Sequence, residues 1–350
     1  MDTCSTPGII IKPISPENSI NWNQYLVNKP ESNFYQRYEW KNINEEAFGH
    51  KCFYLTAEKD QKIIGVFPIV YIKSKLFGKI LSSMPFVNFG SLCTDSPIAT
   101  DLLLEEAKQL VKKSDADYLE IRSLTSVSDS LPSSLNKVSM TINLDKDPDV
   151  IWNGFKTKHR TNIRRVYKDN ITVKFGREEL LDTFYDILSQ SWKSLGTPIY
   201  KKSYFKKIID SFNEDIIIFV AYQDGIPIAT AFNGYHNNTV EGMWAGTVPG
   251  IRKVQPNYVL YWEMIKHACE NGYEHFHLGR STAGSGAEVF KKKWNAYTKQ
   301  LYWQYILNHD NEIPQINVDN PKFLLAIKAW RKLPLKVTTM LGPLLAKNIP

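Results

Sequence analysis

Residues 255–294 constrain the fold of the whole chain, because the spacing of their apolar residues changes from helical to extended and back to helical. Apolar residues recur every three or four positions from Tyr258 onward, which places them on one face of a helix. His275–Leu278 then alternates like a short strand, and the glycine-rich segment Gly279–Gly286 separates it from a second helix. Ligands of mixed α/β folds tend to bind at the carboxyl ends of strands. We therefore expect Gly279–Gly286 to form one wall of an active site.

The same order of elements occurs twice in the chain. A short strand ending in arginine, Tyr118–Arg122, follows a helix in the first half, as His275–Arg280 does in the second. A chain of 350 residues can form two domains, each with its own core. We expect α/β (α+β) domains with mixed central sheets flanked by helices. The expected ranges are 1–145 for the first domain, 146–308 for the second, whose last strand is Gln300–Leu307, and 309–350 for a basic amphipathic tail.

Composition excludes several classes of protein. With 43% hydrophobic residues the chain is typical of globular proteins, and it has no apolar run long enough to cross a membrane. Its start does not resemble a secretory signal. The cysteines are scattered without a C-x-x-C pair, which favours a reduced cytoplasmic protein, although two disulfides remain an alternative. They are Cys4, Cys52, Cys93 and Cys269.

Positive charge is concentrated in two segments, 156–168 and 321–350, which carry six cations each and no acid. Because the chain has a net charge of +7, the rest of it is mildly acidic, at −5. On the expected helix over 151–168, the cations at every fourth position form one stripe: Lys156, Arg160, Arg164 and Lys168. Like charges at this spacing destabilise a helix. The stripe therefore indicates contact with a phosphate, a pyrophosphate or RNA, with a solvated helix face as the alternative.

The sequence contains no G-x-S-x-G, H-E-x-x-H or paired-aspartate motif, so the catalytic candidates are chosen from their positions near the glycine-rich segment. We expect Tyr258 or Glu263 to assist proton transfer and Arg280 to hold an anionic group. The seven histidines show no metal-ligand spacing apart from His275 and His277. We expect these two to point to opposite faces of a strand, so we expect no metal site. The expected substrate-binding residues are Lys156, Arg160, Arg164, Gly279, Ser281, Gly284, Gly286, Lys291 and Trp294.

The tail pairs apolar and basic residues over Pro321–Leu333, and Pro334 ends this helical pattern. A basic amphipathic helix can lie on an anionic membrane, and packing against the body of the protein is an equal alternative.

Several segments together resemble the Fem-like proteins of the GNAT acyltransferase superfamily, especially the branch associated with exopolysaccharide and PEP-CTERM systems. They are SMPFVNFGSL (83–92), YLEIR (118–122), KTKHRTNIRRVYK (156–168), LGTPIYKKSYF (195–205), NYVLYWEMIKHACENGY (257–273), LGRSTAGSGAEVFKKKW (278–294) and NPKFLLAIKAWRKLPLKV (320–337). The resemblance implies two tandem GNAT-like domains. It also implies a donor used as co-substrate, namely aminoacyl-tRNA, acyl-CoA or acyl carrier protein, and no tightly bound cofactor.

The sequence departs from the family pattern at one important place. The segment TVPGIRKVQPN (247–257) lacks the glycine spacing of the usual GNAT pyrophosphate loop, so acetyl-CoA is a doubtful donor. His277 occupies a strand position at which the family often has an acid.

These features lead to one hypothesis and two alternatives. The hypothesis is an N-acyl or aminoacyl transferase acting on a phosphate-bearing or lipid-linked cell-envelope, peptidoglycan or exopolysaccharide precursor. Such an enzyme would be cytoplasmic, peripheral on the inner face of the membrane through residues 321–350. The alternatives are a non-catalytic adaptor for polysaccharide assembly and an RNA-binding protein. The sequence does not identify the donor, the acceptor or the oligomeric state.

Overall fold

The computed structural model describes residues 8–75, 77–251, 253–308, 313 and 321–349. The chain forms two compact units. Unit 1 contains the described residues up to Lys137 and those of 300–314, and unit 2 contains Val138–Lys299 and the described residues of 315–347. The boundary thus lies a few residues before the expected 145/146, and the chain returns to unit 1 after residue 299.

The described strands and helices alternate along much of the chain. The strands are β1 Ile9–Pro13, β2 Lys51–Lys59, β3 Lys62–Ser74, β4 Gly78–Ser82, β5 Cys93–Thr94, β6 Tyr118–Ser123, β7 Ser133–Ser134, β8 Lys137–Asn143, β9 Ile171–Gly176, β10 Ile216–Gln223, β11 Ile226–His236, β12 Thr239–Thr247, β13 His275–Thr282, β14 Tyr297–Gln300 and β15 Tyr302–Leu307. The helices are α1 Ser19–Val27, α2 Glu39–Phe48, α3 Pro97–Lys113, α4 Pro148–Gly154, α5 Thr157–Tyr167, α6 Leu181–Leu195, α7 Lys202–Phe212, α8 Asn257–Glu270, α9 Gly286–Lys292, α10 Pro321–Lys332 and α11 Leu335–Ala346.

The sheet of unit 1 has the order β1-β2-β3-β4-β6-β15-β7, with β5 paired to β3. Neighbouring strands of this sheet are antiparallel except β4 and β6, which are parallel and are connected through α3. The apolar side of α3 packs on this sheet through residues such as Leu103 and Ala107, which are fully buried. β15 was expected to close the second domain, but it pairs with β6 from Tyr302 to Leu307 and so belongs to the first sheet.

The sheet of unit 2 has the order β14-β8-β13-β12-β11-β10-β9. β12 and β13 are parallel and α8 connects them, which repeats the arrangement of β4, α3 and β6. Buried residues of α8, including Val259 and Ile265, pack on one face of the sheet. The expected α/β fold with two mixed sheets flanked by helices is therefore confirmed.

Two local differences affect the site. The helix expected over 151–168 is divided into α4 and α5, because Phe155 and Lys156 adopt extended backbone angles. This break turns the Phe155 ring into the core, against Trp262 and Trp294. Gly279–Thr282, expected to be a loop, continues the strand β13.

The described cysteines, Cys52, Cys93 and Cys269, are buried free thiols. Within the described part of the chain, no helix combines the length and apolar character needed to cross a bilayer.

Candidate functional site

The parallel strands β12 and β13 separate after a short paired region, and this fork organises the candidate site. They are paired only from Thr239–Glu241 to His275–His277, although β12 runs on to Thr247 and β13 to Thr282. β12 also contains a bulge, since Trp244 and Gly242 oppose the consecutive residues Phe232 and Asn233. Bulges increase local twist and bend a strand, so this one bends β12 where it leaves β13.

A glycine permits the close approach of the two strands at the base of the fork. A Cβ atom on Gly242 would lie 3.1 Å from the carbonyl oxygen of His277, which is tighter than ordinary contacts. An alanine at this position would push the strands apart.

The corresponding fork of unit 1 is occupied by its own chain. Beyond the paired region of β4 and β6, Ser83 N donates to Glu120 O at 2.9 Å and Gly90 N donates to Arg122 O at 3.0 Å. The segment between them is buried throughout. A ligand can therefore enter the fork of unit 1 only by displacing this segment, and we place the candidate site in unit 2.

A buried acid–imidazole pair lies at the base of the unit 2 fork. Glu241 Oε2 and His277 Nδ1 are 2.7 Å apart, and both side chains are 3% exposed. The register places Glu241 opposite Gly234, on the same face of the sheet as Phe232 and Trp244, which pack against α6 and α7. The carboxylate orients the imidazole by binding Nδ1, so that Nε2 is the ring nitrogen that can exchange a proton with a ligand.

The expectation that His275 and His277 point to opposite faces of the strand is wrong. Their two-residue spacing puts both rings on one face of β13. Nowhere in the described ranges do three or more His, Cys, Asp or Glu side chains come together in a way that could hold a metal ion.

The β13 side of the fork is held by a buried lysine. Lys291 Nζ, on α9, donates to the carbonyl oxygens of Gly279 at 3.0 Å and Arg280 at 2.9 Å. Gly279 has φ +79°, which bends the strand at this point and suits glycine. Burial, and secondarily the Arg280 charge, lowers the pKa of Lys291 to about 8. An ammonium group has three donors, so one remains beyond these two contacts.

Ser281 and the glycine-rich turn complete this wall. Ser281 is 5% exposed, and its hydroxyl has no hydrogen-bond partner among the described residues. Gly284 has φ +76°, and its N–H donates to Glu288 Oε2 at 2.6 Å, which ties the turn to α9. A Cβ on Gly286 would meet nothing within 4 Å, so the local packing does not require glycine there. Arg280 is half-buried.

The start of α8 brings three elements together at Tyr258. Its hydroxyl accepts hydrogen bonds from Asn162 Nδ2 of α5 and from Lys293 Nζ, which follows α9, both at 3.4 Å. Glu263 lies more than one helical turn further along α8, where it accepts a hydrogen bond from the Tyr167 hydroxyl of α5. The structure therefore separates these two proton-transfer candidates.

Trp294 was expected to bind substrate, but the structure places it in the core, at 0% exposure. Its ring lies 4.3 Å from that of His159, edge to face, and stacks on Tyr261 at 5.7 Å. His159 is also buried, neither of its ring nitrogens has a partner among the described residues, and burial lowers its pKa to about 4. The indole is buried because it packs between α5, α8 and α9, against the rings of His159, Tyr261 and Phe290.

The basic stripe lies on α5 and faces solvent. Lys156 and Arg164 are exposed and Arg160 is half-buried. Arg160 contacts Asn153 Oδ1 at 3.3 Å, and the Arg164 guanidinium lies over the Trp152 ring at 5.3 Å. Across the part of the chain that the structure describes, neither these cations nor their neighbours on α5 form an ion pair. Their charge is therefore available to an anionic ligand.

A further contact joins α5 to the start of α8. Arg165 Nη2 donates to Gln255 Oε1 at 2.6 Å, and Gln255 immediately precedes the first turn of α8. The helix α8, which connects β12 and β13, thus begins beside the basic stripe.

The sequence predicted that Arg280, Lys291 and the basic stripe lie in the same domain, but it did not identify Glu241. The signal was weak, since Glu241 is an acid in an otherwise apolar strand and its partner is 36 residues away.

Comparison with known proteins gives a consistent result. Residues 154–292 match the family described as "Acetyltransferase (GNAT) domain". A search of curated proteins found no match. The solved structure described as FemX is similar at a TM-score of 0.64 and 16% identity, covering 85% of this chain and 98% of that one.

Two further structures share the fold. The C-terminal domain of a putative lysylphosphatidylglycerol synthetase from Agrobacterium fabrum has a TM-score of 0.56 and 13% identity, covering 84% of this chain and 92% of that one. A tandem GNAT protein from the clavulanic acid biosynthesis pathway has a TM-score of 0.54 and 9% identity, covering 87% and 100%. The two units are therefore tandem GNAT-like domains, as expected.

Proposed function

We propose that this chain, an acyltransferase of the GNAT superfamily, transfers an acyl or aminoacyl group to an amine on a phosphate-bearing cell-envelope, peptidoglycan or exopolysaccharide precursor. The observation that carries the proposal is the fork between β12 and β13, with the Glu241–His277 pair at its base. Unpaired strand edges offer backbone N–H and C=O groups to an extended ligand. The acyl group of the donor would lie in this fork, with its carbonyl near His277.

The reaction requires one proton transfer from the acceptor and one to the donor. The amine nitrogen attacks the carbonyl carbon, the new C–N bond forms, and the C–O or C–S bond to the donor breaks. His277 Nε2 accepts the amine proton, and Glu241 stabilises the imidazolium that results. The departing oxygen or sulfur takes up a proton, either from the imidazolium or from the Tyr258 hydroxyl.

Charge developing on the carbonyl oxygen needs a fixed donor. Lys291 is held by two carbonyl oxygens on the β13 wall, so its remaining N–H has a defined direction. Preorganised donors of this kind stabilise tetrahedral intermediates strongly because they do not reorganise during the reaction. Lys291 is therefore assigned to oxyanion stabilisation, and the Ser281 hydroxyl is assigned to positioning of the acyl group. We assign the role of proton acceptor to His277 in place of Glu263, because Glu263 is engaged by Tyr167.

The basic stripe supplies the phosphate site in this proposal. Lys156, Arg160 and Arg164 lie along one side of α5, and charge-assisted contacts of arginine with phosphate are both strong and directional. The Arg165–Gln255 contact places this helix beside the start of α8. The phosphate of the acceptor would bind along α5 while its amine reaches the fork.

The start of α8 argues against ordinary binding of a CoA pyrophosphate. Anions bind helix N-termini through N–H groups that lack intrahelical partners. Here Tyr258 N donates to Gln255 O and Val259 N donates to Pro256 O, both at 3.1 Å, and Pro256 has no N–H. Few first-turn donors remain, which supports aminoacyl-tRNA or an acyl carrier protein over acyl-CoA. The name of one structure with this fold, a putative lysylphosphatidylglycerol synthetase, likewise denotes an aminoacylated product.

A panel of donors tests the proposal. The full chain is incubated with labelled aminoacyl-tRNA, acyl-CoA or acyl carrier protein, together with a phosphorylated amine acceptor such as a peptidoglycan precursor, and products are identified by mass spectrometry. His277→Gln should abolish the mass increase on the acceptor. The matched control is His275→Gln, on the same face of β13 but at the beginning of the strand, which should retain it.

Three outcomes would contradict the proposal. Transfer that survives in His277→Gln would remove the assigned proton acceptor. Rapid transfer from acyl-CoA alone would contradict the choice of donor. Absence of transfer from every donor, with tight binding to a polysaccharide-assembly protein, would favour the adaptor alternative.

A further inference from the structure

The outer side of the two C-terminal helices of unit 2 exposes a group of large apolar side chains. Leu325 on α10 is 70% exposed, and on α11 Met340 and Leu344 are 67% and 61% exposed. Leu341 and Leu345 are exposed beside them. We name the four residues on α11, Met340, Leu341, Leu344 and Leu345, the C-terminal apolar face. Large apolar side chains grouped on one exposed helix face are a feature of interaction sites.

This face is not the side by which α11 packs on the rest of unit 2. Thr338, Gly342 and Ala346 recur at every fourth position and are buried. A Cβ on Gly342 would lie 2.9 Å from the carbonyl oxygen of Ile199, so the helix sits directly on that backbone. About 100° separates successive residues of a helix, which places Met340 and Leu344 roughly opposite this buried side. The apolar face therefore points outward from a helix that is already anchored.

The charged side chains on the two C-terminal helices are all of one sign. Residues 321–350 contain no acid. Lys328 and Lys332 are exposed on α10, and Lys336 is exposed four residues before Met340, on the same side of α11. Apolar side chains bordered by lysines complement a surface that is apolar within and anionic at its edge. A bilayer that contains anionic phospholipid has that structure.

We propose that the C-terminal apolar face binds the surface of an anionic phospholipid bilayer. α11 lies in the plane of the interface, with Met340 and Leu344 inserted among the acyl chains and the lysines at the headgroup phosphates. The buried Thr338–Gly342–Ala346 side keeps the helix attached to unit 2 in this state. The binding requires neither a donor nor turnover, so it is independent of the proposed function.

Vesicle flotation of the full chain tests this inference. Vesicles of phosphatidylcholine alone are compared with an equal mixture of phosphatidylcholine and phosphatidylglycerol, at low salt and at about 0.5 M salt, where charges are screened beyond a few ångströms. The chain should float with the anionic vesicles at low salt and much less with the neutral ones. Each Lys→Gln change among Lys328, Lys332 and Lys336 should weaken binding about fivefold.

Met340→Ser with Leu344→Ser should weaken binding by about tenfold or more, since two apolar side chains no longer leave water. The matched control is Ile226→Ser, which changes an equally exposed apolar residue at the β10–β11 turn and should bind like the unmodified chain. Circular dichroism verifies that each variant is folded.

Each of the following results would overturn the inference. The unmodified chain does not float with either vesicle, or Met340→Ser/Leu344→Ser floats as well as Ile226→Ser. The third result is a dimer of the unmodified chain, detected by light scattering, that Met340→Ser/Leu344→Ser converts to a monomer. The apolar face would then bind a second copy of the chain.

Discussion

Lys291 offers a direct test of the geometry of the β13 wall, because its ammonium group is buried against two carbonyl oxygens. Burial lowers its pKa from the ordinary 10.5 to about 8. Lys291→Met keeps much of the side-chain volume and removes the charge. Near neutral pH two effects of this change oppose each other. The variant no longer buries a charge, but it leaves the carbonyl oxygens of Gly279 and Arg280 without this donor, at about 1–3 kcal/mol each.

The pH dependence separates these effects. Between pH 8 and pH 10.5 the unfolded chain keeps the Lys291 proton while the folded chain has lost it, so the free energy of unfolding rises with pH in this window. Each pKa unit corresponds to about 1.4 kcal/mol, and the full difference is about 3 kcal/mol. From pH 7 to pH 9.5 the unmodified chain should gain roughly 2 kcal/mol relative to Lys291→Met.

Urea unfolding followed by circular dichroism at both pH values measures this gain. Lys299→Met, which changes an exposed lysine of the same unit, is the matched control and should show no such difference. If the free-energy difference between Lys291→Met and the unmodified chain does not vary with pH, the ammonium group is not buried as the structure describes. The role assigned to it in the fork would then lose its basis.

Three further predictions concern the site and its surroundings. Glu241→Gln should lower kcat by about 10²–10⁴-fold, and an unchanged kcat would refute the role assigned to Glu241. The same variant should change the free energy of unfolding less than Glu241→Ala does, because the amide oxygen can still accept a hydrogen bond from His277. Arg160→Ala with Arg164→Ala should raise the KM for the phosphorylated acceptor by about tenfold or more without lowering Tm, and steady-state kinetics with thermal unfolding would expose an unchanged KM. Between pH 6.5 and pH 4 the imidazole of His159 is protonated in the unfolded chain but not in the folded chain, so the free energy of unfolding falls as the pH falls. His159→Phe should lose less stability over this range, and urea midpoints that fall equally in the variant and the unmodified chain would contradict the prediction.

The sequence predicted the parts of this protein that depend on local periodicity. The helical spacing from Tyr258 onward follows from which side of the helix must avoid water. The order of helices and strands occurs twice in the chain, which indicated two mixed α/β domains. Among the candidate residues, Lys291 of α9 donates a hydrogen bond to the backbone carbonyl oxygen of Arg280 on β13.

Other expectations were wrong where the local sequence is compatible with more than one position in the fold. β15 has the alternation of any half-buried strand, and nothing in that alternation selects the first sheet over the second. Trp294 was expected to bind substrate, yet its ring fills the core against His159 and Tyr261. The space available to a large buried side chain depends on how the helices pack together, which the local sequence does not show.

The fork itself is a tertiary property. Glu241 and His277 meet because β12 and β13 pair in one register at their first residues and separate after them, with Gly242 admitting the close approach. A shift of one residue would place one of the two side chains on the other face of the sheet. The sequence by itself predicted that unit 2 contains a strand, a helix, a short strand and a glycine-rich segment in this order. Only the folded sheet decided which acid meets which imidazole, because strand register depends on contacts between residues distant in the chain.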